Sequence, residues 1–219
     1  KDLLTSRLGA SLELARIADL DTTTDRGVQL APGLLTDDAQ ALLNDPEIQV
    51  VIELIGGYEP ARTFVLQAIR NGKHIVTANK ALLATHGTEI FAAAQRKGVM
   101  VGFEAAVAGG IPIIKALREG LTANRIEWIA GIINGTSNFI LSEMRAKGLA
   151  FDAVLKQAQA LGFAEADPTF DIEGVDAAHK LTILSAIAFG IPMQFDKCYR
   201  EGISALTRED IQYAEELGY

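Results

Sequence analysis

The 219-residue sequence predicts an α/β fold, with a parallel sheet in its first half and an incomplete α+β domain in its second half. Two observations support this prediction. Up to about residue 110, short runs of β-forming residues alternate with helical stretches, which is the pattern of βαβ units. Beyond that point one further β-like run is followed by at least three helices. We therefore expect one domain over residues 1–110 and another over residues 111–219.

The individual elements follow from apolar periodicity and from turn residues. The chain opens in what reads as the tail of a helix, starting at residue 1. Asn-Gly at 71–72 and Lys-Gly at 97–98 are typical helix ends, and each is followed at once by a β-like run. Strands are expected at 13–18, 50–54, 74–77, 99–104 and 125–133. Helices are expected at 37–43, 60–71, 88–97, 113–120, 136–147 and 151–161.

Composition excludes several classes of function. The net charge of −8 argues against a nucleic-acid partner, because phosphate binding needs basic patches. No run of about 18 apolar residues exists, so we expect no membrane partner, and the start shows no signal-peptide pattern. The single cysteine, Cys198, cannot form an internal disulfide, which is typical of a reducing cytosol. We expect a cytoplasmic protein.

The most informative segment is residues 162–180, where five carboxylates lie ahead of an unusually apolar helix. Residues 181–189 carry no charge, so the helix is predicted to be buried on most sides. Asp176 and Lys180 stand four apart and therefore share one helical face. Such a pair is ordinarily solvated, but the apolar context favours an internal cleft, since buried charges are costly unless paired or used. Buried lysines as a class can transfer protons.

This segment resembles the catalytic motif of the homoserine dehydrogenases, and the resemblance runs over nearly the whole chain. It implies a partial Rossmann-like NAD(P)-binding domain, followed by an incomplete α+β substrate and dimerisation domain. It also implies a homodimer or higher homo-oligomer that interconverts L-homoserine and L-aspartate 4-semialdehyde, small-molecule substrates on the way to threonine and methionine. Three further stretches fit the family in order: Val51-Ile52-Glu53-Leu54-Ile55-Gly56-Gly57, Thr77-Ala78-Asn79-Lys80 and Gly131-Ile132-Ile133-Asn134-Gly135-Thr136-Ser137-Asn138.

Three residues are predicted to be catalytic: Lys180, Asp176 and Lys80. Hydride transfer to an aldehyde leaves an alkoxide that must be protonated, so one positioned acid/base is the minimum. The resemblance gives that role to Lys180, and Asp176 can hold the substrate and orient Lys180. A lysine at a helix start, such as Lys80, ordinarily points at water. Without an anionic partner that position is electrostatically unfavourable, which favours a cofactor or substrate contact.

Substrate contacts are predicted from the charge of the substrate ammonium, which carboxylates bind by charge-assisted hydrogen bonds. The resemblance assigns Glu165 and Asp176 to this task. Asp171 is left open between a substrate contact and a helix-start cap. Asp167 and Glu173 are expected to be solvated loop charges.

Cofactor contacts are predicted at strand ends, where ligands of open α/β sheets bind. Gly56 permits close backbone approach, or it only turns the chain. Thr77 ends the next strand and Lys80 follows it. The resemblance places Gly162 close to the nicotinamide ribose, and Glu165 is a further expected cofactor contact. Asp19 ends the first strand, where an acidic residue commonly accepts the adenosine ribose hydroxyl, but a solvent-exposed carboxylate fits equally well. The following loop contains both acidic residues and an arginine, so NAD and NADP both stay open.

The resemblance further implies a monovalent cation, Na⁺ or K⁺, bound by the Glu104 carboxylate and by the carbonyls of Val107, Gly109 and Ile111. Hard cations take oxygen ligands, and a glycine-bearing turn can direct carbonyls inward. The three histidines show no metal spacing and are expected to be structural.

No Gly-x-Gly-x-x-Gly turn precedes the first strand, and the family continues past the last helix, so we expect this chain to be a central piece. The strand at 125–133 would then expose an edge and an apolar face, which favours self-association. Without the glycine turn that cradles the pyrophosphate, we also expect weak dinucleotide binding. Two alternatives stay open: an inactive remnant that acts as an assembly module, and a dehydrogenase of another amino-acid aldehyde.

Overall fold

Two parallel sheets form the first half of the protein, whose computed structural model describes residues 2–219. In the first sheet, β1 (Ile17–Ala18) pairs with β2 (Leu35–Thr36). In the second, the strand order is β3 (Val50–Glu53), β4 (His74–Thr77) and β5 (Val101–Gly102). Glu53 lies opposite Thr77 in the register. The carboxyl ends of β3 and β4 therefore lie side by side, as parallel βαβ units require.

Four helices accompany these strands: α1 (Asp2–Leu8), α2 (Ala39–Asn44), α3 (Ala61–Arg70) and α4 (Lys80–Lys97). Helix α4 begins at Lys80 because the Asn79 side chain accepts a hydrogen bond from the Leu82 amide at 3.0 Å. It ends at Gly98, which adopts the left-handed conformation of a helix terminus. The cap at Asn79 thus fixes where the Lys80 side chain leaves the backbone.

The second half is a layer of helices. A short helix α5 (Ile113–Lys115) continues into a wider π-helical turn over Ala116–Gly120. The larger helices follow: α6 (Gly135–Lys147), α7 (Phe151–Ala160), α8 (Thr169–Ile172), α9 (Val175–Phe189) and α10 (Arg208–Glu216). Helices α6 and α7 share a small apolar core around Ile140, Met144 and Val154. Among residues 2–219, no helix is long and apolar enough to cross a bilayer.

Helix α9 joins the two halves by packing against α4. Ile183 and Leu184 of α9 are buried in the same apolar core as Leu82 and Leu83 of α4 and Ile75 of β4. The prediction that α9 is largely buried is confirmed for residues 182–184, whereas residues 185–188 are half-buried and Leu181 and Phe189 are exposed. This packing places the start of α9 beside the start of α4.

Several predicted elements differ from the structure. The first strand, expected over 13–18, pairs only at Ile17–Ala18, because its neighbour β2 offers just two residues and was not predicted. Helix α4 starts eight residues before the predicted start at 88, since the Asn79 cap defines the boundary. Strand β5 is shorter than the predicted 99–104. The helix expected at the chain start is confirmed from Asp2, and Lys1 lies outside the described residues.

The strand expected at 125–133 is not formed. A strand needs a hydrogen-bonded neighbour, and no other segment of residues 2–219 pairs with this one. Trp128 and Ile132 are 73% and 79% exposed, so part of the segment presents apolar side chains to solvent. The β part of the predicted α+β domain is therefore missing from the described residues.

Candidate active site

A buried carboxylate, Asp176, lies where three elements meet. Its side chain is 7% exposed, and both of its oxygens are engaged. Oδ1 lies 3.0 Å from the Lys80 ammonium at the start of α4. Oδ2 accepts hydrogen bonds from Lys180 Nζ at 2.6 Å and from Asn134 Nδ2 at 2.9 Å. The structure thus brings together all three predicted catalytic residues and adds Asn134, which the sequence interpretation had not assigned a role.

Lys180 is oriented by two acceptors. Besides Asp176, its ammonium donates to the Ile133 carbonyl at 2.7 Å. A lysine ammonium has three N–H groups, so one is left for a bound molecule. The Lys180 side chain is 18% exposed and lines an open cleft. The predicted i,i+4 pair therefore borders a cleft rather than a solvated surface.

The cleft encloses about 560 Å³ between the start of α6 and the start of α9. Its walls combine charged and amide groups with the aromatic rings of Phe139 and Phe163, whose centroids are 4.9 Å apart. A space of this size suits a small molecule. The polar lining is formed by Asn134, Thr136, Asp171, Asp176 and Lys180.

Asp171 belongs to this polar lining. Its Oδ1 accepts a hydrogen bond from Asn134 Nδ2 at 2.6 Å. The helix-start alternative for Asp171 is wrong, because α8 begins at Thr169 after Pro168 and α9 begins after Gly174. One amide nitrogen therefore contacts two carboxylates that lie on different helices.

The pKa of Asp176 is lowered, although two effects oppose each other. Burial raises it, because a charged carboxylate loses its hydration. Hydrogen bonds from Lys180, Asn134 and Lys80, together with the Lys180 charge, lower the pKa by more. Asp176 is therefore ionised in the folded protein and holds a negative charge between two lysines.

His179 is a second buried titratable group next to Lys180. It is fully buried, and neither ring nitrogen has a hydrogen-bond partner among the described residues. Burial lowers its pKa, and the positive charge of Lys80 lowers the pKa further. Its ring packs between those of Phe170 and Phe195, at centroid distances of 5.8 and 4.5 Å. The structural role expected for this histidine stays a prediction.

A network of hydrogen bonds fixes the loops at the ends of β3 and β4. The buried Glu53 carboxylate accepts from the amides of Ile55 and Gly56 and from the Thr77 hydroxyl, at 2.7, 3.2 and 2.7 Å. Asn79 Nδ2 donates to the Gly57 carbonyl at 2.8 Å. Thr77 is 1% exposed. Its side chain therefore stabilises the loops, and its role as a cofactor contact stays a prediction.

The glycines of the β3 loop border open space. Gly56 and Gly57 have φ values of +80° and +65°, which L side chains rarely adopt, and a Cβ added to either meets no atom within 4 Å. The backbone of these two glycines is therefore accessible near Lys80, which the close approach of a cofactor would require.

The other predicted residues form no hydrogen bond or ion pair with Asp176 in the described part of the chain. Gly162 lines the cleft. Glu165 is exposed, and its side chain makes no hydrogen bond or ion pair within residues 2–219. Asp19 is exposed and pairs with Arg26 at 3.1 Å, so the carboxylate is bound by its own loop. Glu173, expected to be a solvated loop charge, is half-buried and accepts an exposed hydrogen bond from the Ser204 hydroxyl at 2.7 Å.

The predicted cation ligands lie on one turn. The Glu104 carboxylate accepts from the amides of Ile114 and Lys115 at 2.8 and 3.0 Å, and so stabilises the start of α5. The Ile111 carbonyl accepts from Ile113. The carbonyls of Val107 and Gly109 accept no backbone hydrogen bond in the described part of the chain. Those two carbonyls and the spare lone pairs of Glu104 are oxygen donors of the kind that hard cations take, and the cation itself stays a prediction.

The sequence interpretation missed the roles of Asn134, the Ile133 carbonyl and Glu53. All three lie in the motifs that carry the family resemblance. A signal for Asn134 was present, because Asn followed by Gly-Thr-Ser is a typical helix start. Its second task, contacting two carboxylates, depends on residues far along the chain and has no local signature.

The parallel sheets place the protein in the class of open α/β folds, whose ligands as a class bind at the carboxyl ends of the strands. Comparison with protein families narrows this class. A family described as homoserine dehydrogenase matches residues 112–219, and the NAD-binding domain of homoserine dehydrogenase matches residues 1–104. The chain belongs to the homoserine dehydrogenase family, and its first half is the Rossmann-like NAD-binding part.

Individual proteins that are similar to this chain support the same family assignment. Homoserine dehydrogenase of Pseudomonas aeruginosa is 64% identical over 97% of this chain and 49% of its own length. The crystal structure of a homoserine dehydrogenase from Thiobacillus denitrificans is 71% identical, with a TM-score of 0.93, over 100% of this chain and 50% of that one. A hyperthermophilic archaeal homoserine dehydrogenase in complex with NADPH is 29% identical, with a TM-score of 0.69, over 78% and 53%. This chain thus spans about half the length of its relatives.

The lowered pKa of Asp176 predicts how Asp176→Asn changes stability with pH. A carboxyl with a lowered folded-state pKa stabilises the fold above its unfolded pKa of about 3.9, and this contribution is lost as pH falls through the folded pKa. We expect the native chain to be more stable than Asp176→Asn near pH 6 and the difference to close below about pH 4. Urea unfolding across this range measures it.

Asp37→Asn is the matched control, because Asp37 is exposed and its side chain makes no hydrogen bond or ion pair in residues 2–219. A stability difference for Asp176→Asn that is independent of pH would contradict the assignment of an ionised Asp176.

Proposed function

We propose that this chain supplies the catalytic segment of an NAD(P)-dependent enzyme that interconverts L-homoserine and L-aspartate 4-semialdehyde. The observation that carries the proposal is the Lys180 ammonium, which is held by Asp176 and the Ile133 carbonyl and keeps one N–H beside the cleft. Membership of the homoserine dehydrogenase family supports the choice of substrate. No observation favours the inactive module or another amino-acid aldehyde.

Lys180 moves the proton in this mechanism. When the aldehyde is reduced, the ammonium donates a proton to the oxygen that becomes the homoserine hydroxyl. In the reverse direction the neutral amine takes that proton away. Asp176 keeps Lys180 aligned and balances its charge, and Lys80 adds a second positive charge on the other side of Asp176. The nicotinamide cofactor, when bound, supplies or accepts the hydride.

The remaining predicted residues would bind ligands. Gly56 and Gly57 would hold the cofactor by close backbone approach, and Lys80 and Gly162 would add further contacts to it. Asp171 and Glu165 would bind the substrate ammonium, because carboxylates are its natural partners. Asp171 already lines the cleft, whereas Glu165 would have to turn toward it.

We also propose a division into domains near residue 110, and a monovalent cation bound by Glu104, Val107, Gly109 and Ile111. The ranges of the two matching families support the division. The oxygen donors of the 104–111 turn support the cation.

Self-association and a cytoplasmic location complete the proposal. The exposed Trp128 and Ile132 support a homo-oligomer, since apolar surface of this kind favours a partner. An enzyme that uses NAD(P) acts where the cofactor is kept, which supports the cytoplasm, as does the single cysteine.

Lys180→Ala tests the central step. In a full-length enzyme that contains this chain, we expect the fold to be kept and kcat for homoserine oxidation to fall roughly 10²–10⁴-fold, the loss typical of a general acid/base. Lys147→Ala, which changes an exposed lysine on α6, is the control. Near-normal turnover of Lys180→Ala across the pH range would exclude Lys180 as the proton carrier.

Glu165→Gln tests substrate binding separately. It removes a negative charge and keeps the size of the side chain. We expect KM for homoserine to rise more than KM for the dinucleotide, because the lost interaction is with the substrate ammonium. Steady-state kinetics with each substrate varied in turn measures both constants. A rise in the dinucleotide constant alone would place Glu165 at the cofactor.

A further inference from the structure

Asn134 occupies an unusual position, because one side-chain amide serves three elements. Its Oδ1 accepts from the Ser137 amide at 2.8 Å and caps α6. Its Nδ2 donates to Asp171 Oδ1 on α8 at 2.6 Å and to Asp176 Oδ2 on α9 at 2.9 Å. The orientation of the amide is unambiguous, since the flipped form would place an acceptor oxygen against two carboxylates and a donor against an amide.

The amide suits the charge balance of the site. Asp176 is faced by Lys80 on α4, by Lys180 and the adjacent His179 on α9, and through Asn134 by Asp171 on α8. Two lysines and two carboxylates balance one another. A neutral donor can hold the carboxylates together without changing that balance, whereas a third carboxylate at this position would repel both.

We infer that Asn134 is a positioning residue of the proposed reaction: its amide ties Asp171 to Asp176 and so holds Asp176 where it presents Lys180 to the cleft. Ser137 reinforces the tie, because its hydroxyl donates to the Asp171 carbonyl at 2.9 Å. The catalytic part of this inference rests on the proposed function. The hydrogen bonds that link Asp171 to Asp176 through Asn134 are present in the protein without ligands.

Two substitutions distinguish the hydrogen bonds that Asn134 donates to the two carboxylates from its role as the cap of α6. Asp and Ser both cap helices well, so Asn134→Asp and Asn134→Ser keep the start of α6 while removing the amide donor. We expect both variants to fold. The Asp176 carboxyl should titrate at higher pH in both, and higher in Asn134→Asp, which adds a negative charge. A shift of about one pKa unit corresponds to the loss of one such hydrogen bond.

The enzymatic activity should fall in the same two variants. In a full-length enzyme that contains this chain, we expect kcat for homoserine oxidation to fall about tenfold in both variants. KM for the dinucleotide should stay unchanged, so that the loss falls on kcat alone, a split that a purely structural role would not cause. Asn124→Asp, which makes the same change at an exposed residue whose side chain forms no hydrogen bond within residues 2–219, is the matched control and should change neither kcat nor the Asp176 titration.

Carboxyl NMR of the ligand-free enzyme measures the titration directly, and the unaltered protein offers a check without any variant. The side-chain amide resonances of Asn134 should move with the Asp176 titration. The inference would be overturned if the Asn134 amide resonances did not change as Asp176 titrates. It would also be overturned if the pKa of Asp176 were the same in the folded variants as in the unaltered protein. An unaltered enzyme that does not oxidise homoserine would instead contradict the proposed function. The titration of Asp176 would still test whether the Asn134 amide links Asp171 to Asp176.

Discussion

A single buried negative charge, that of Asp176, connects the parts of this structure. Burying a carboxylate is costly unless its hydrogen-bonding capacity is satisfied. Here two lysines and one amide satisfy it, and they come from α4, from α9 and from the loop before α6. The position of each donor follows from its own element, so the cluster forms only when α9 packs against α4. The formation of the site therefore depends on the packing of the two halves against each other.

The loops at the strand ends depend on a second buried carboxylate, Glu53. It binds the amides that follow β3 and the hydroxyl of Thr77 at the end of β4. Asn79 then links the glycine loop to the start of α4. In consequence Lys80 begins its helix at a fixed distance from the glycines, and the lysine that contacts Asp176 also borders the proposed cofactor site.

Local patterns in the sequence were enough to predict part of this arrangement. The spacing of Asp176 and Lys180 predicted their pairing, because the two residues are neighbours along one helix. The position of Lys80 at a helix start predicted a cofactor or substrate contact, because a lysine there needs an anionic partner. The partner of Lys80 proved to be Asp176, which no local pattern identifies. The bridging role of Asn134 was missed for the same reason. The strand at 125–133 was predicted from composition, but a strand also needs a neighbour, and pairing is not a local property.

The most direct test of this account is a mutant cycle on the three charges. Lys80→Met, Lys180→Met and the double variant are compared by urea unfolding, first with Asp176 and then with Asp176→Asn. If one carboxylate serves both lysines, the double variant leaves it buried with the amide alone. Its loss of stability should then exceed the sum of the single losses by about 1–3 kcal/mol, and the excess should vanish with Asn at position 176. Losses that add to within about 0.5 kcal/mol in both backgrounds would contradict the central role of Asp176.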